Sequence, residues 1–347
     1  MSAIKKYIFL TKLAVISFAF VFIYKQIYHH QENFYTKIAQ AFEQSNSITN
    51  LIICLLLVFI NWGIEAYKWK MMIAKVEQIS FANAFKAVLS GVTTSIFTPN
   101  RVGEFGGRII YLENADWIRA SLISILSGIS QLLITLVVGI CGFLFFFPTY
   151  FEIDTYLYLL IAFISSAFMV LLLFLFLNIS VLESITKKFN FFLFEKLHIK
   201  WLKKIDEYIA VFTYYNLNEL IKLLLISFLR YIVFSIQFWL MLKVFGVELE
   251  FVSGMVLISV VFFCMTIIPT FAISEVGVRT SVAVFIIGSY YLHQNYPLTS
   301  IENLDSVNPD FSAAVIVSSF SLWLINLALP ALIGSFFILR LRLKNFK

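Results

Sequence analysis

Six stretches of this chain, approximately 7–27, 49–67, 120–147, 156–178, 221–243 and 311–339, are each long and apolar enough to cross a bilayer. They constrain the fold more than any other feature, because a spanning helix needs roughly 20 predominantly apolar residues. No water is present at that depth to satisfy backbone N–H and C=O groups, so only helices and closed barrels qualify. The Phe- and Ile-rich runs would suit strands by propensity, but barrel strands alternate polar and apolar residues, and these runs do not. The expectation is an all-α polytopic membrane protein. With 61% hydrophobic and 13% charged residues and a mean hydropathy of +0.90, an ordinary soluble domain is excluded.

Charge in the short connections sets orientation, since Lys and Arg collect on the cytoplasmic side. Lys5, Lys6 and Lys12, then Lys68, Lys70 and Lys75, the lysines of 181–222, and Arg340, Arg342, Lys344 and Lys347 mark four inside regions. Segments carrying Glu32 and Glu43, Glu152 and Asp154, Glu248 and Glu250, and Glu302, Asp305 and Asp310 alternate with them outside. Both termini are therefore expected in the cytoplasm. No small-x-small cleavage site follows residues 7–23, so the first hydrophobic segment reads as a retained helix rather than a secretory signal.

Several chemistries find no support. Cys54, Cys141 and Cys264 are far apart inside hydrophobic segments, suggesting neither a disulfide framework nor a zinc site. His29, His30, His198 and His293 fall in predicted loops, and no glycine-rich nucleotide loop is present. No cofactor, metal or nucleic-acid partner is expected.

One rare pattern occurs twice within hydrophobic sequence. Pro99-Asn100-Arg101-Val102-Gly103-Glu104-Phe105-Gly106-Gly107-Arg108 is echoed by Pro269-Thr270-Phe271-Ala272-Ile273-Ser274-Glu275-Val276-Gly277-Val278-Arg279. Charges at that depth are costly and mark function. Around the pattern, Trp69 matches Trp239, Met71 matches Met241, Phe81 matches Phe251 and Pro99 matches Pro269 at one offset; Glu104, Gly106 and Arg108 match Glu275, Gly277 and Arg279 one residue later.

Two shorter apolar stretches, approximately 81–97 and 252–268, run into the two copies. Full crossings there would break the charge alternation. Each is therefore read as the first arm of a re-entrant hairpin that turns at the proline and returns along a helix starting near Glu104 or Glu275. Irregular backbone is tolerated at depth where protein buries it or water reaches it. The fold expectation becomes about six transmembrane helices plus two re-entrant helical hairpins, in one integral membrane domain over 1–347. Its halves, 1–150 and 151–347, are expected to be related by inverted topology, with Trp69 and Trp239 at opposite faces.

A helix that begins inside the membrane directs unpaired amides and its positive dipole end at the turn, which favours a phosphate or carboxylate. Glu and Arg four apart share a helical face, and the glycines between them admit close approach. Each Glu/Arg pair either clamps its hairpin or takes part in binding substrate, and the two roles are compatible. Arg230 is expected roughly 12 Å below the cytoplasmic boundary and faces the protein interior with Gln237, either as a phosphate ligand or as a partner of Glu104 or Glu275. Asn61 and Glu65 lie nearer the interface, where Glu65 with Lys68 reads as a boundary pair. Residues 179–220 alternate lysines with Phe189, Phe191, Phe192, Phe194 and Trp201, the composition of a surface helix bound to anionic headgroups.

Pro99, Arg101, Gly103, Glu104 and Arg108, followed by Pro269 and Gly277-Val278-Arg279, resemble the transmembrane region of lysylphosphatidylglycerol synthetases and of stand-alone flippase-like membrane proteins. The second motif departs from the family's, with Ile273-Ser274 where a glycine pair is common and Thr280 in place of an acidic residue. The resemblance implies a bacterial inner-membrane flippase or transporter for an anionic or aminoacylated phospholipid or a lipid-linked anion, not an enzyme. Since the chain stops at Lys347, the synthetase activity of bifunctional members is expected to be absent. On that reading the substrate-binding residues are Pro99, Arg101, Gly103, Glu104, Gly106, Arg108, Arg230, Pro269, Glu275, Gly277 and Arg279; Arg108, Arg230 and Arg279 receive phosphate, and Glu104 and Glu275 pair with arginine or a cationic headgroup. An integral-membrane headgroup transferase using Glu104 or Glu275 as general base, and a non-transporting partner of an envelope complex, are the alternatives.

Overall fold

The computed structural model describes residues 45–96, 98, 101–150, 153–179, 208, 210–268, 272–295 and 309–345, together with 36, 39, 40 and 43. The expected first span, 7–27, both prolines of the repeated pattern, and most of the 179–220 segment lie outside the described residues. Among the described residues the secondary structure is helical, without strands. The helices are α1 (Ser45–Ile73), α2 (Phe81–Ser95), α3 (Gly103–Ile109), α4 (Trp117–Tyr150), α5 (Thr155–Leu177), α6 (Leu217–Val244), α7 (Phe251–Ile267), α8 (Ala272–Asn295), α9 (Pro309–Trp323) and α10 (Leu329–Asn345). Five are long and apolar enough to cross a membrane: α1, α4, α5, α6 and the continuous unit of α9 and α10.

Local sequence explains where several of these helices start. The Asp154 carboxylate accepts from the amides of Tyr156 and Leu157, starting α5. Asn216 and Glu219 form a reciprocal capping box at α6, satisfying amides that the first helical turn leaves orphaned. Just before it, Ala210–Tyr214 is a single 3₁₀ turn with Val211 fully buried. The end of the 179–220 segment is thus packed against the bundle. On α5, Phe163 and Val170 are exposed, as befits side chains facing lipid.

The first hairpin is re-entrant in its geometry. In the α1–α2 connection, Glu77 accepts from the backbone amides of Glu113 at 3.0 Å, Asn114 at 2.8 Å and Ala115 at 2.8 Å. The chain therefore begins α2 and leaves α3 at the same end. The two return helices differ in length, α3 having seven residues and α8 running for 24. Glycine sets how closely α2 and α3 approach: a Cβ at Gly107 would lie 2.7 Å from the Cα of Gly91.

Helices α1 and α6, the two that carry Trp69 and Trp239, pack antiparallel. Near the start of α1 the Cys54 carbonyl accepts from Gln237, late in α6, at 3.1 Å. At the other end, the Tyr215 hydroxyl donates to the Met72 carbonyl at 2.8 Å and Lys75 pairs with Glu219 at 2.6 Å. Trp69 and Trp239 consequently sit at opposite ends of the pair.

The first arm of each hairpin also packs on the last long span of the other half of the chain. A Cβ on Gly142 of α4 would meet Ser259 of α7, and one on Gly139 would meet Phe263. A Cβ on Gly334 of α10 would meet Leu89 of α2, and Thr93 donates to the Ala331 carbonyl at 2.7 Å. These contacts correspond: Leu89 and Thr93 precede Ser259 and Phe263 by 170 residues, and Gly139 and Gly142 precede Ala331 and Gly334 by 192.

Candidate functional site

The two copies of the pattern meet through one ion pair. Arg101, just before α3, reaches Glu275 on α8 at 2.5 Å. Glu275 also binds Arg279, four residues on, so one carboxylate is shared by two guanidiniums. Arg101 has φ of +57°, the one non-glycine residue with positive φ among the described residues. A bulky side chain in that region is strained by about 1–3 kcal/mol and persists only where its surroundings hold it; the pair with Glu275 is such a restraint.

A second, deeper network surrounds Glu65. Arg108 binds Glu104 on its own helix and Glu65 of α1 at 2.8 Å. Lys68 adds a contact to Glu65 at 2.9 Å, and Arg230 approaches the same carboxylate at 3.5 Å. The expected Glu65–Lys68 pair forms and lies inside the protein, with Glu65 4% exposed and Lys68 fully buried. Arg230 lies about 20 Å along α6 at 1.5 Å per residue, since that helix starts at Leu217. Its carboxylate partner is Glu65 rather than Glu104 or Glu275. Gln237 is fully buried and, like Arg230, faces α1, where it donates to the Cys54 carbonyl.

Above these networks lies a cavity of about 260 Å³ lined by Arg101, Arg230 and Arg279. Trp62 and Phe234 wall it, and they also carry the Arg230 and Arg279 guanidiniums at 5.3 Å and 5.6 Å from their ring centres, a favourable cation–π placement. Its remaining polar lining includes Asn61, Gln131, Thr135 and Asn326. Gln131 accepts from Arg230 at 3.4 Å, and Asn61 donates to Asn326 at 3.2 Å. Asn326 comes from a π-helical turn, Leu324–Ala328, between α9 and α10. Such turns commonly occur at functional sites.

The sequence-predicted residues therefore separate. Arg101, Arg230 and Arg279 line the cavity, with Glu275 bonded to the first and last of them. Arg108, 3% exposed, is held by Glu104 and Glu65 and is not among the lining residues. Gly103 is a packing position, since a Cβ there would lie 2.5 Å from the Thr94 carbonyl oxygen. Gly106 faces open space. Gly277 lies within α8, where its carbonyl accepts from Ser281. Pro99 and Pro269 lie outside the described residues.

The electrostatics favour an anion. Arg101, Arg108, Arg230, Arg279 and Lys68 supply five positive charges against three negative ones from Glu65, Glu104 and Glu275. A surplus of two positive charges in low-dielectric surroundings attracts a negative ligand strongly. Among the described residues no three His, Cys, Asp or Glu side chains gather as metal ligands.

Sequence reasoning missed Asn61, Gln131 and Asn326 as cavity residues. Each is a polar residue inside a long apolar span, which was the available signal. The family model of the lysylphosphatidylglycerol synthase TM region matches residues 9–294. No curated protein matches the chain, and no solved structure does.

Proposed function

Because the chain belongs to the lysylphosphatidylglycerol synthase TM-region family, we propose that it moves a phosphate-bearing lipid between the leaflets of a bacterial inner membrane. The observation that carries this reading is the cavity where the two hairpins meet, lined by Arg101, Arg230 and Arg279. Interrupted helices converging at the interface of inverted repeats form the substrate sites of many transporters. The antiparallel α1–α6 pair and the exchanged packing of α2 on α10 and α7 on α4 support such a repeat here. Arg101, Arg230 and Arg279 receive the phosphate, Glu275 holds two of the three arginines in place, and Glu104 with Glu65 fixes Arg108 as the clamp of the first hairpin. Both termini face the cytoplasm, and the chemistry is translocation without covalent change to the lipid.

The test is leaflet exchange of tail-labelled phosphatidylglycerol in liposomes containing the full chain. Wild type exchanges lipid faster than protein-free liposomes, while Arg230→Gln and Glu275→Gln slow exchange by at least about tenfold, the factor that corresponds to losing roughly 1.4 kcal/mol of charge pairing. Exchange by folded wild type at the protein-free rate overturns the proposal.

A further inference from the structure

We infer that the last span is a jointed strut, with the π turn Leu324–Ala328 as the pivot about which the two hairpins change their relative position while the cavity opens to one leaflet and then the other. The inference rests on the transport reading above and specifies its moving part. It starts from how the span divides its packing. Leu322, with Ala314, Val315 and Ile316 of α9, belongs to a hydrophobic cluster shared with residues of α7 and α8 such as Val261 and Ile287. Ile325 and Leu327 of the turn and Ala331 of α10 belong to a different cluster, shared with residues of α1 and α2 such as Trp69 and Leu89. Individual contacts agree. Phe311 of α9 stacks on Tyr291 of α8 at 4.2 Å between ring centres, whereas α10 meets α2 at Ala331 and Gly334. One half of the span therefore belongs with the second hairpin and the other half with the first, and the division falls at the π turn.

The backbone yields most readily at that division. Pro330 has no N–H, so the carbonyl of Asn326, four residues earlier, would lack a donor in a regular helix and would also be crowded by the proline ring. Prolines and π turns are where helices bend. The Asn326 side chain makes up part of the lost bonding, donating to the Leu322 carbonyl at 3.3 Å and accepting from Asn61 of α1 at 3.2 Å. Asn326 and Leu327 also line the cavity, so the bending element borders the space whose access has to change. The equivalent span of the first half supplies the contrast. Helix α4 passes from the first cluster to the second between Leu133 and Ile134, which correspond to Ile325 and Asn326 in the 192-residue register, yet it stays α-helical from Trp117 to Tyr150. Helix α6 lies between the clusters and contributes to both. Of the two spans that change cluster along their length, one is stiff and one is interrupted, and relative motion is taken up at the interruption. Between the tips, the contact is ionic, from Arg101 to Glu275, and can break and re-form as the halves rock, the usual motion of inverted-repeat transporters.

The experiment attaches nitroxide labels to cysteines introduced at exposed positions of the full chain in liposomes, with Cys54, Cys141 and Cys264 replaced by alanine, and reads distances by pulsed electron paramagnetic resonance. The pair Phe285→Cys and Phe336→Cys links α8 to α10 across the pivot, and the pair Trp117→Cys and Phe336→Cys joins two elements of the first cluster. The crossing pair should give two distance populations and the second pair one. Pro330→Ala supplies the missing donor. It should leave the crossing pair with a single population, raise the thermal unfolding midpoint and slow leaflet exchange of tail-labelled phosphatidylglycerol at least about tenfold; a proline with a merely structural role would move the midpoint and leave both populations. One population for the crossing pair in the unsubstituted background, or two that survive Pro330→Ala unchanged, overturns the inference and leaves the transport reading standing. Exchange by folded wild type at the protein-free rate overturns the transport reading, and the distances then still decide whether the joint moves.

Discussion

At the scale of single residues, the site is organised by two carboxylates that each hold more than one cation. Glu65 neutralises part of Arg108, Lys68 and Arg230 together. Removing one partner of a buried ion pair leaves uncompensated charge and costs about 3–5 kcal/mol. Glu65→Gln should therefore lower the thermal unfolding midpoint of the detergent-solubilised protein markedly, whereas Arg101→Gln, which removes a half-exposed partner of Glu275, should change it little; equal midpoints for the two variants contradict this division of roles. The pairs Glu104–Arg108 and Glu275–Arg279 were legible from their four-residue spacing, because that separation makes neighbours on any helix. The link from Arg101 to Glu275 was not, because it joins two tips far apart in sequence and depends on how the halves dock. The pairing of Glu65 with Lys68 was legible too, but the gathering of Arg108 and Arg230 on the same carboxylate was not, because it depends on how α3 and α6 dock on α1.

At the scale of elements, the first hairpin depends on its two ends being tied together. Slight burial acts to raise the pKa of Glu77, but the amides of Glu113, Asn114 and Ala115 outweigh it and hold the carboxyl below the ordinary value. A carboxyl whose pKa is depressed on folding stabilises the fold above its unfolded pKa, and that stability is lost as pH falls through the folded value. Wild type should thus exceed Glu77→Gln in thermal stability at neutral pH, with the gap closing below about pH 4; a gap independent of pH contradicts the latch. The turn-back of the first hairpin could be read from charge alternation and the repeated motif. The seven-residue length of α3 could not, since Val102 to Leu112 carries no strong stop signal. The π turn was equally hidden, since Leu324–Ala328 reads as ordinary apolar helix.

At the scale of the whole molecule, the first arm of each half's hairpin is supported by the last span of the other half, with glycines at corresponding positions allowing the helices to touch. Both pattern copies are thereby brought to one cavity, which concentrates a surplus of positive charge between two crossed supports. Offsets in the sequence indicated two similar halves, but the exchange of partners follows from docking and has no sequence signature. The central claim is that the arginines from the two tips form one phosphate site. Native mass spectrometry of the full chain, released from detergent after gentle delipidation, tests it directly. One anionic phospholipid should remain bound to wild type and be lost from Arg101→Gln and Arg279→Gln variants that keep wild-type helicity. Equal retention by wild type and both variants would contradict the claim.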